Sequence, residues 1–232
     1  MNKQILSKII LAGIDFNGIF LPFFLSIIIL DIFIGNVIDY LPYEQFDERI
    51  IIHFFLSFVG VAWFWIRLRH YTYRKPFWFE LKEILRTLLI LAVVELAIIA
   101  FSKLDSSRYL WIFTWLFALI LTPVFRILVK NLLIKFIWYK KDTIIIGSGK
   151  NALDVYRALM QERYLGLNIL GYIQTNIGDI SYLSIPSLEY EKLWEFADPE
   201  TTQFILALEN SESEERDIWL RELTKYKARY VT

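Results

Sequence analysis

The sequence predicts a membrane α-helical part of four transmembrane helices, followed by a cytoplasmic α/β domain. Three observations carry this reading. The 232 residues are 56% hydrophobic, with a mean hydropathy of +0.43, high for a soluble domain. Four apolar segments approach the ~20 residues that a helix needs to cross the hydrocarbon core. Past Tyr139 the pattern changes to a β-branched run, a glycine turn and an amphipathic helix. The division falls at 1–138 and 139–232.

The spans are expected at about 11–33, 51–66, 84–101 and 110–128. Lys and Arg outside them alternate between rich and poor segments. Lys3 and Lys8 lead. The first loop has only Arg49, beside Asp39, Glu44, Asp47 and Glu48. The second has Arg67, Arg69, Arg74, Lys75 and Lys82. The third has Lys103 and Arg108, and Lys130, Lys135, Lys140 and Lys141 follow the last span. Cytoplasmic loops carry the excess of Lys and Arg, so both termini are expected on the cytoplasmic side of the membrane. The initial apolar run is too long for a signal-peptide core and lacks a small-residue cleavage site.

Composition excludes several chemistries. Without cysteine there are no disulfides, thiolate metal sites or thiol nucleophiles. His53 and His70, the two histidines, fall in or beside the spans, which speaks against a histidine metal centre or a Ser-His-Asp triad. Twenty-five basic residues balance 25 acidic ones, so nucleic-acid binding has no electrostatic support.

Polar residues in the spans suggest helix contacts. Glu95 is read either as a functional intramembrane carboxylate or as a helix-paired one with Thr114 or Thr122 as partner. Asp15, Asn17 and Asp31 are read as interface or interhelical groups. Pro22 and Pro123 are tolerated in membrane helices as kinks.

The run from Trp63 to Trp78 mixes cations with rings: Trp63, Trp65, Arg67, Arg69, His70, Tyr71, Tyr73, Arg74, Lys75, Phe77 and Trp78. It has two readings. One is topogenic charge with an interfacial aromatic belt. The other is a headgroup or lipid-phosphate site at Arg67, Arg69, Arg74 and Lys75. Pro76 is placed to start a helix at Phe77 that runs into the third span.

In the second part, Thr143–Ile146 reads as a buried parallel strand. Gly147-Ser148-Gly149 turns into a helix over about 151–163, with Ala152, Val155, Leu159 and Met160 on its apolar face. A second strand covers 167–173. Gly147-x-Gly149-x-x-Ala152 therefore stands where a dinucleotide fingerprint belongs. The free N–H groups of the helix start suit a phosphate. At the end of the second strand Gln174 stands where a ribose-binding carboxylate is usual, which leaves two readings, a weak nucleotide site or a structural βαβ unit of Rossmann-like type. Later elements are a short strand or turn at 184–187, a helix at 188–197, a strand at 202–208 and a helix at 211–227. Ser211 and Glu214 form a candidate capping box for that last helix, whose apolar face is Ile218, Trp219 and Leu223. The carboxylates Glu209, Glu212, Glu214, Glu215 and Asp217 fit a solvated helix start better than acid–base chemistry. Arg229–Thr232 begins a further strand, so the α/β domain reads as truncated.

Trp63–Trp78, Phe117–Pro123, Thr143–Gly149 and Trp219–Leu223 resemble, in the same order, the bacterial undecaprenyl-phosphate galactose phosphotransferases. These belong to the large polyprenyl-phosphate hexose-1-phosphate transferases, or monotopic phosphoglycosyl transferases. The resemblance implies four transmembrane helices, a Rossmann-like domain of CoA- and nucleotide-binding type, and then a catalytic domain on a re-entrant helix. That domain carries an Asp-Glu pair, binds magnesium and moves hexose-1-phosphate from a UDP-sugar to undecaprenyl phosphate, starting O-antigen, capsule or exopolysaccharide synthesis. No position here matches its catalytic or metal residues. The resemblance thus implies an anchoring and regulatory module with a lipid bilayer, undecaprenyl phosphate, UDP-sugar and a second copy as partners, and no metal of its own. Two alternatives stay open: the front end of a membrane-bound nucleotide-sugar dehydratase, and a non-enzymatic membrane assembly protein.

Overall fold

In the computed structural model, residues 3–35, 41–102, 104, 107–136, 139–175 and 185–232 are described. The chain divides into two compact units, Met1–Trp138 and Tyr139–Thr232.

The first unit is four long helices, α1 (Lys3–Ile34), α2 (Tyr43–Ile66), α3 (Phe77–Phe101) and α4 (Arg108–Lys135). All four are long and apolar enough to cross a membrane. Their outward faces carry exposed Ile28, Phe33, Phe55, Phe58, Val93 and Leu128. Water would not tolerate so continuous an apolar surface, whereas lipid does. This is a multi-pass membrane protein. Each helix runs further than its apolar core suggests, because polar residues at its ends continue the backbone ladder. Pro76 stands immediately before α3, as the start signal requires. The Ser107 side chain accepts from the Leu110 N–H and caps α4.

The chief helix pair is α1 with α4. Gly18 makes that closeness possible: a Cβ there would stand 2.9 Å from the Thr122 Cα. Small residues at such crossings let backbones approach in lipid. Thr122 is therefore used for packing on Gly18, and Thr114 shares a hydrogen bond of 2.7 Å with Ser26. Neither is the partner of Glu95 that the sequence suggested.

The second unit is a five-stranded parallel sheet. Its strands are β1 (Lys141–Ile146), β2 (Leu167–Ile173), β3 (Ser187–Leu188), β4 (Gln203–Leu206) and β5 (Tyr230–Val231), in the spatial order β3-β2-β1-β4-β5. The helices are α5 (Lys150–Gln161), α6 (Leu193–Phe196) and α7 (Ser213–Lys225). Successive residues of β1 serve opposite faces. Ile144 and Ile146 pack with Leu193, Phe204, Trp219 and Leu223. Ile145 packs with Tyr172, Ala152 and Ala207. Both faces are covered, as a parallel sheet requires.

Several expected details shift. The 188–197 helix is broken into the end of β3, a single 3-10 turn at Tyr190–Lys192 and α6. The last helix starts at Ser213, not Ser211, and Glu212 stands at its cap position. The helix has no side-chain cap, and the Glu212 carboxylate accepts from the Glu209 N–H at 2.8 Å. Met160 and Ile218 are exposed. The faces that reach the sheet are Ala152, Leu153, Val155, Tyr156 and Leu159 on α5, and Trp219 with Leu223, one turn apart, on α7. Ser184, Asn176, Asp39 and Lys103 lie outside the described residues.

Candidate functional site

The basic, aromatic run is a folded plug rather than a free loop. Helix α2 ends at Ile66, and three residues later Arg69 adopts φ +53°. The His70 N–H then turns back to the Phe64 carbonyl at 3.0 Å. That bond reaches back six residues around a left-handed turn at which glycine is the usual residue. The turn sends His70 and Tyr71 into the bundle, where both are buried.

They meet Arg126 of α4. Its Nη1 donates to His70 Nδ1 at 2.9 Å, and its Nη2 stands 2.9 Å from Asp15 Oδ2. The guanidinium lies 5.3 Å from the Phe64 ring centroid and 5.5 Å from that of Tyr71. Tyr71 donates to the same Asp15 oxygen at 2.5 Å. Glu80 of α3 pairs with Lys130 at 2.5 Å and with Arg126 Nε at 3.5 Å. His70 Nε2 and Lys75 Nζ both reach Glu83 Oε2 at 2.6 Å. Three cations, Lys75, Arg126 and Lys130, face three carboxylates, Asp15, Glu80 and Glu83.

The hydrogen bonds assign the tautomer. Arginine can only donate, so His70 Nδ1 accepts and Nε2 carries the proton given to Glu83. Burial, with Arg126, Lys75 and Lys130 nearby, holds the His70 pKa down to about 2, so the ring stays neutral. Burial and the adjacent Asp15 push the Tyr71 hydroxyl up, so it remains a donor.

Beside this network lies a groove of about 410 Å³, lined by Trp63, Arg67, Leu68, Lys75, Glu83, Arg86, Thr87 and Ile90. Of the four candidate cations, Arg67 and Lys75 line it. Arg69 turns to Tyr73, 5.7 Å from that ring, and does not line the groove; neither does Arg74, which is half-buried. Arg86, which sequence reading missed, takes the place of those two. It lies ten residues past the loop, but the first turns of α3 bring it back; its spacing of three from Glu83 is the signal that could have found it. Among the described residues, Arg67 and Arg86 form no ion pair, while Lys75 is bound to Glu83. The groove thus offers two uncommitted guanidinium groups beside Trp63 and Ile90. Such a surface suits an anionic head on an apolar chain.

Of the cations counted from sequence as topogenic, Arg49 and Lys130 are inside α2 and α4 and buried. The expected partners of Glu95 are replaced too. Its carboxylate meets His53 Nδ1 at 3.1 Å and accepts from Trp115 Nε1 at 2.5 Å.

At the glycine turn, Gly147 adopts φ +137°, and a Cβ there would collide with the Ala207 carbonyl. Ser148 is buried and accepts from the Thr175 N–H at 3.0 Å. Ala152 packs against the sheet, and Gln174 is exposed at the end of β2. The strand order places a crevice between β1 and β4. Glu209 of the loop after β4 reaches into it and accepts the Asn151 N–H at 2.8 Å. A carboxylate thus takes the helix N-terminal position that a phosphate would use.

Three curated proteins are similar to this chain over nearly all of it. An uncharacterized sugar transferase of Haemophilus influenzae is 49% identical over 223 residues, 95% of this chain and 47% of that protein. The undecaprenyl-phosphate galactose phosphotransferase of Salmonella typhimurium is 46% identical over 98% of this chain and 48% of its own length. A UDP-galactose-lipid carrier transferase of Erwinia amylovora is 40% identical, over 99% and 49%. No protein-family model matches the chain. The chain spans about half the length of these relatives, and over that half it is a homologue of proteins named as sugar or galactose transferases, two of which carry undecaprenyl phosphate or a lipid carrier in their names.

Proposed function

We propose that the chain is the membrane-anchoring and regulatory or dimerisation module of an undecaprenyl-phosphate hexose-1-phosphate (galactose-1-phosphate) transferase that initiates O-antigen, capsule or exopolysaccharide synthesis. The observation that carries this is the 46% identity, over 98% of the chain, to a protein with that named activity. The groove at Arg67, Lys75 and Arg86 supports it, because its charge and its apolar wall suit a polyprenyl phosphate. On this reading the basic plug and both termini face the cytoplasm of the inner membrane, where UDP-sugar is found. Magnesium and the acid pair belong to the part of the transferase that these residues do not match. A weak UDP or UDP-sugar ligand at Gly147, Ser148, Gly149, Ala152 and Gln174 belongs to the same proposal, in competition with Glu209.

The test joins this chain to the remaining half of the Salmonella relative and measures transfer of label from UDP-galactose to lipid in membranes. The joined protein is expected to exceed the isolated half at least tenfold, and this chain alone is expected to transfer nothing. Equal rates for the joined protein and the isolated half would overturn the role as a required module. Substituting Arg67, Lys75 and Arg86 by Gln should weaken retention of undecaprenyl phosphate. The absence of cysteine makes orientation simple to read, since a single Thr72→Cys label reports which side the plug occupies.

A further inference from the structure

We propose that Arg49 anchors an oxyanion site, taking one phosphate group, at the end of the helical bundle remote from the basic plug. Arg49 lies in the second turn of α2, 17 residues before Ile66, which at 1.5 Å per residue is about 25 Å away. It is 2% exposed. Its Nε and Nη1 are buried and have no hydrogen-bond partner. Among the described residues no carboxylate stands within ion-pair distance of it.

Among the described residues, the carboxylate whose field reaches Arg49 is Glu95, and Glu95 is already committed. One oxygen accepts from Trp115 and the other faces His53 Nδ1. His53 Nε2 stands 2.9 Å from the Ile19 carbonyl. A carbonyl only accepts, so Nε2 carries a proton. The short contact between Nδ1 and Glu95 Oε1 then holds one more proton, on one atom or the other. Either way His53 and Glu95 together are neutral, as imidazolium with carboxylate or as imidazole with acid. The cluster of Arg49, His53 and Glu95 therefore carries a net charge of +1 that nothing else described offsets.

A buried charge with unfilled donors is costly, and native proteins fill such groups. An oxyanion supplies both missing elements, the negative charge and the acceptor oxygens, and a guanidinium suits phosphate oxygens in particular. Arg49 is six residues, or about 9 Å, from the start of α2. Arg49 thus lies near the end of the helix, where the phosphate of a lipid in the adjoining leaflet or a free phosphate ion can supply the missing oxygens.

The test uses the whole chain in dodecyl maltoside, compared with Arg49→Gln and Arg49→Lys, each checked for helix content. Native mass spectrometry reads retention of phosphatidylglycerol against phosphatidylcholine, and thermal unfolding reads the response to inorganic phosphate. Retention of phosphatidylglycerol, or the phosphate response, should weaken at least tenfold in Arg49→Gln and about threefold in Arg49→Lys. The Arg67→Gln/Arg86→Gln pair should leave this occupancy in place. Phosphatidylglycerol retention without a phosphate response identifies a lipid headgroup; a phosphate-dependent shift that competes with phosphatidylglycerol identifies the free ion. Unchanged binding in both Arg49 variants would overturn the proposal. If Arg49→Gln does not fold, unchanged binding in Arg49→Lys alone does so.

Discussion

The helical unit holds two buried polar clusters, and they are built on opposite principles. Around Arg126, three cations meet three carboxylates, and a histidine is held neutral between a donor and an acceptor. Around Arg49, one proton is shared by His53 and Glu95, and a positive charge remains. Balanced, cross-linked charge in a low-dielectric interior locks elements together; unbalanced charge calls for a ligand. The first cluster ties α1, the plug, α3 and α4 into one piece. Among the described residues, the second keeps one positive charge without a counter-charge.

The sharpest way to break this contrast is Arg126→Met. It leaves Asp15 and Glu80 buried with fewer cations, and removing one partner of a buried pair costs about 3–5 kcal/mol. Thermal unfolding in detergent should show a large loss. An unchanged midpoint would mean that the plug closes the bundle without this ion network.

Glu95→Leu and Glu95→Gln separate charge from hydrogen bonding in the second cluster. Leucine orphans the Trp115 N–H and His53 Nδ1, at about 1–3 kcal/mol for each orphaned group. Glutamine keeps an acceptor for Trp115 and a donor for His53, so its loss should be much smaller. Equal losses would argue that the carboxylate charge itself is needed.

The first cluster should also respond to acid. His70 is held at about 2 in the folded protein, against about 6.5 unfolded. Below pH 6.5 the unfolded chain takes up a proton that the folded chain refuses, so stability falls as pH falls through that window. The slope is about 1.4 kcal/mol per pH unit, or about 2 kcal/mol between pH 6.5 and 5. His70→Asn, which retains an acceptor for Arg126 and a donor for Glu83, should flatten that part of the profile measured by denaturant titration.

In the absence of anionic lipid, Arg49→Met should cost nothing and can gain about 1 kcal/mol, since it removes an uncompensated buried charge. A loss as large as that of Arg126→Met would show that the two clusters are alike. The smallest effect is expected in the α/β unit. Glu209→Gln frees the start of α5 from a competing carboxylate, so calorimetry with millimolar UDP should give more heat than the parent. No heat from either protein would leave the glycine turn with a structural role only.

Much of the fold was legible because its signals are local. Four apolar runs are long enough for lipid whatever they pack against. Pro76 stops one conformation and starts another by its own ring. The β-branched run before Gly147 shows a strand entering a turn. The ends were less legible: helices extended past their apolar cores, and the 188–197 segment broke up because its backbone bonds were divided among β3, a 3-10 turn and α6. The site was half legible. Arg67 and Lys75 lie where the loop suggested, but Arg69 was diverted by a left-handed turn to Tyr73, and Arg86 came from the next helix.

From composition and periodicity alone follow the spans, the parallel α/β unit and the concentration of charge in one connection, because each depends on residues near one another in the chain. Which charges meet is a tertiary matter. Asp15 and Arg126 are 111 positions apart, and His53 and Glu95 are 42 apart. No spacing rule joins such pairs; the crossing of helices does, with Gly18 letting α1 come close to α4. The same crossings decide that Arg126 is neutralised and that Arg49 is left with a charge to share.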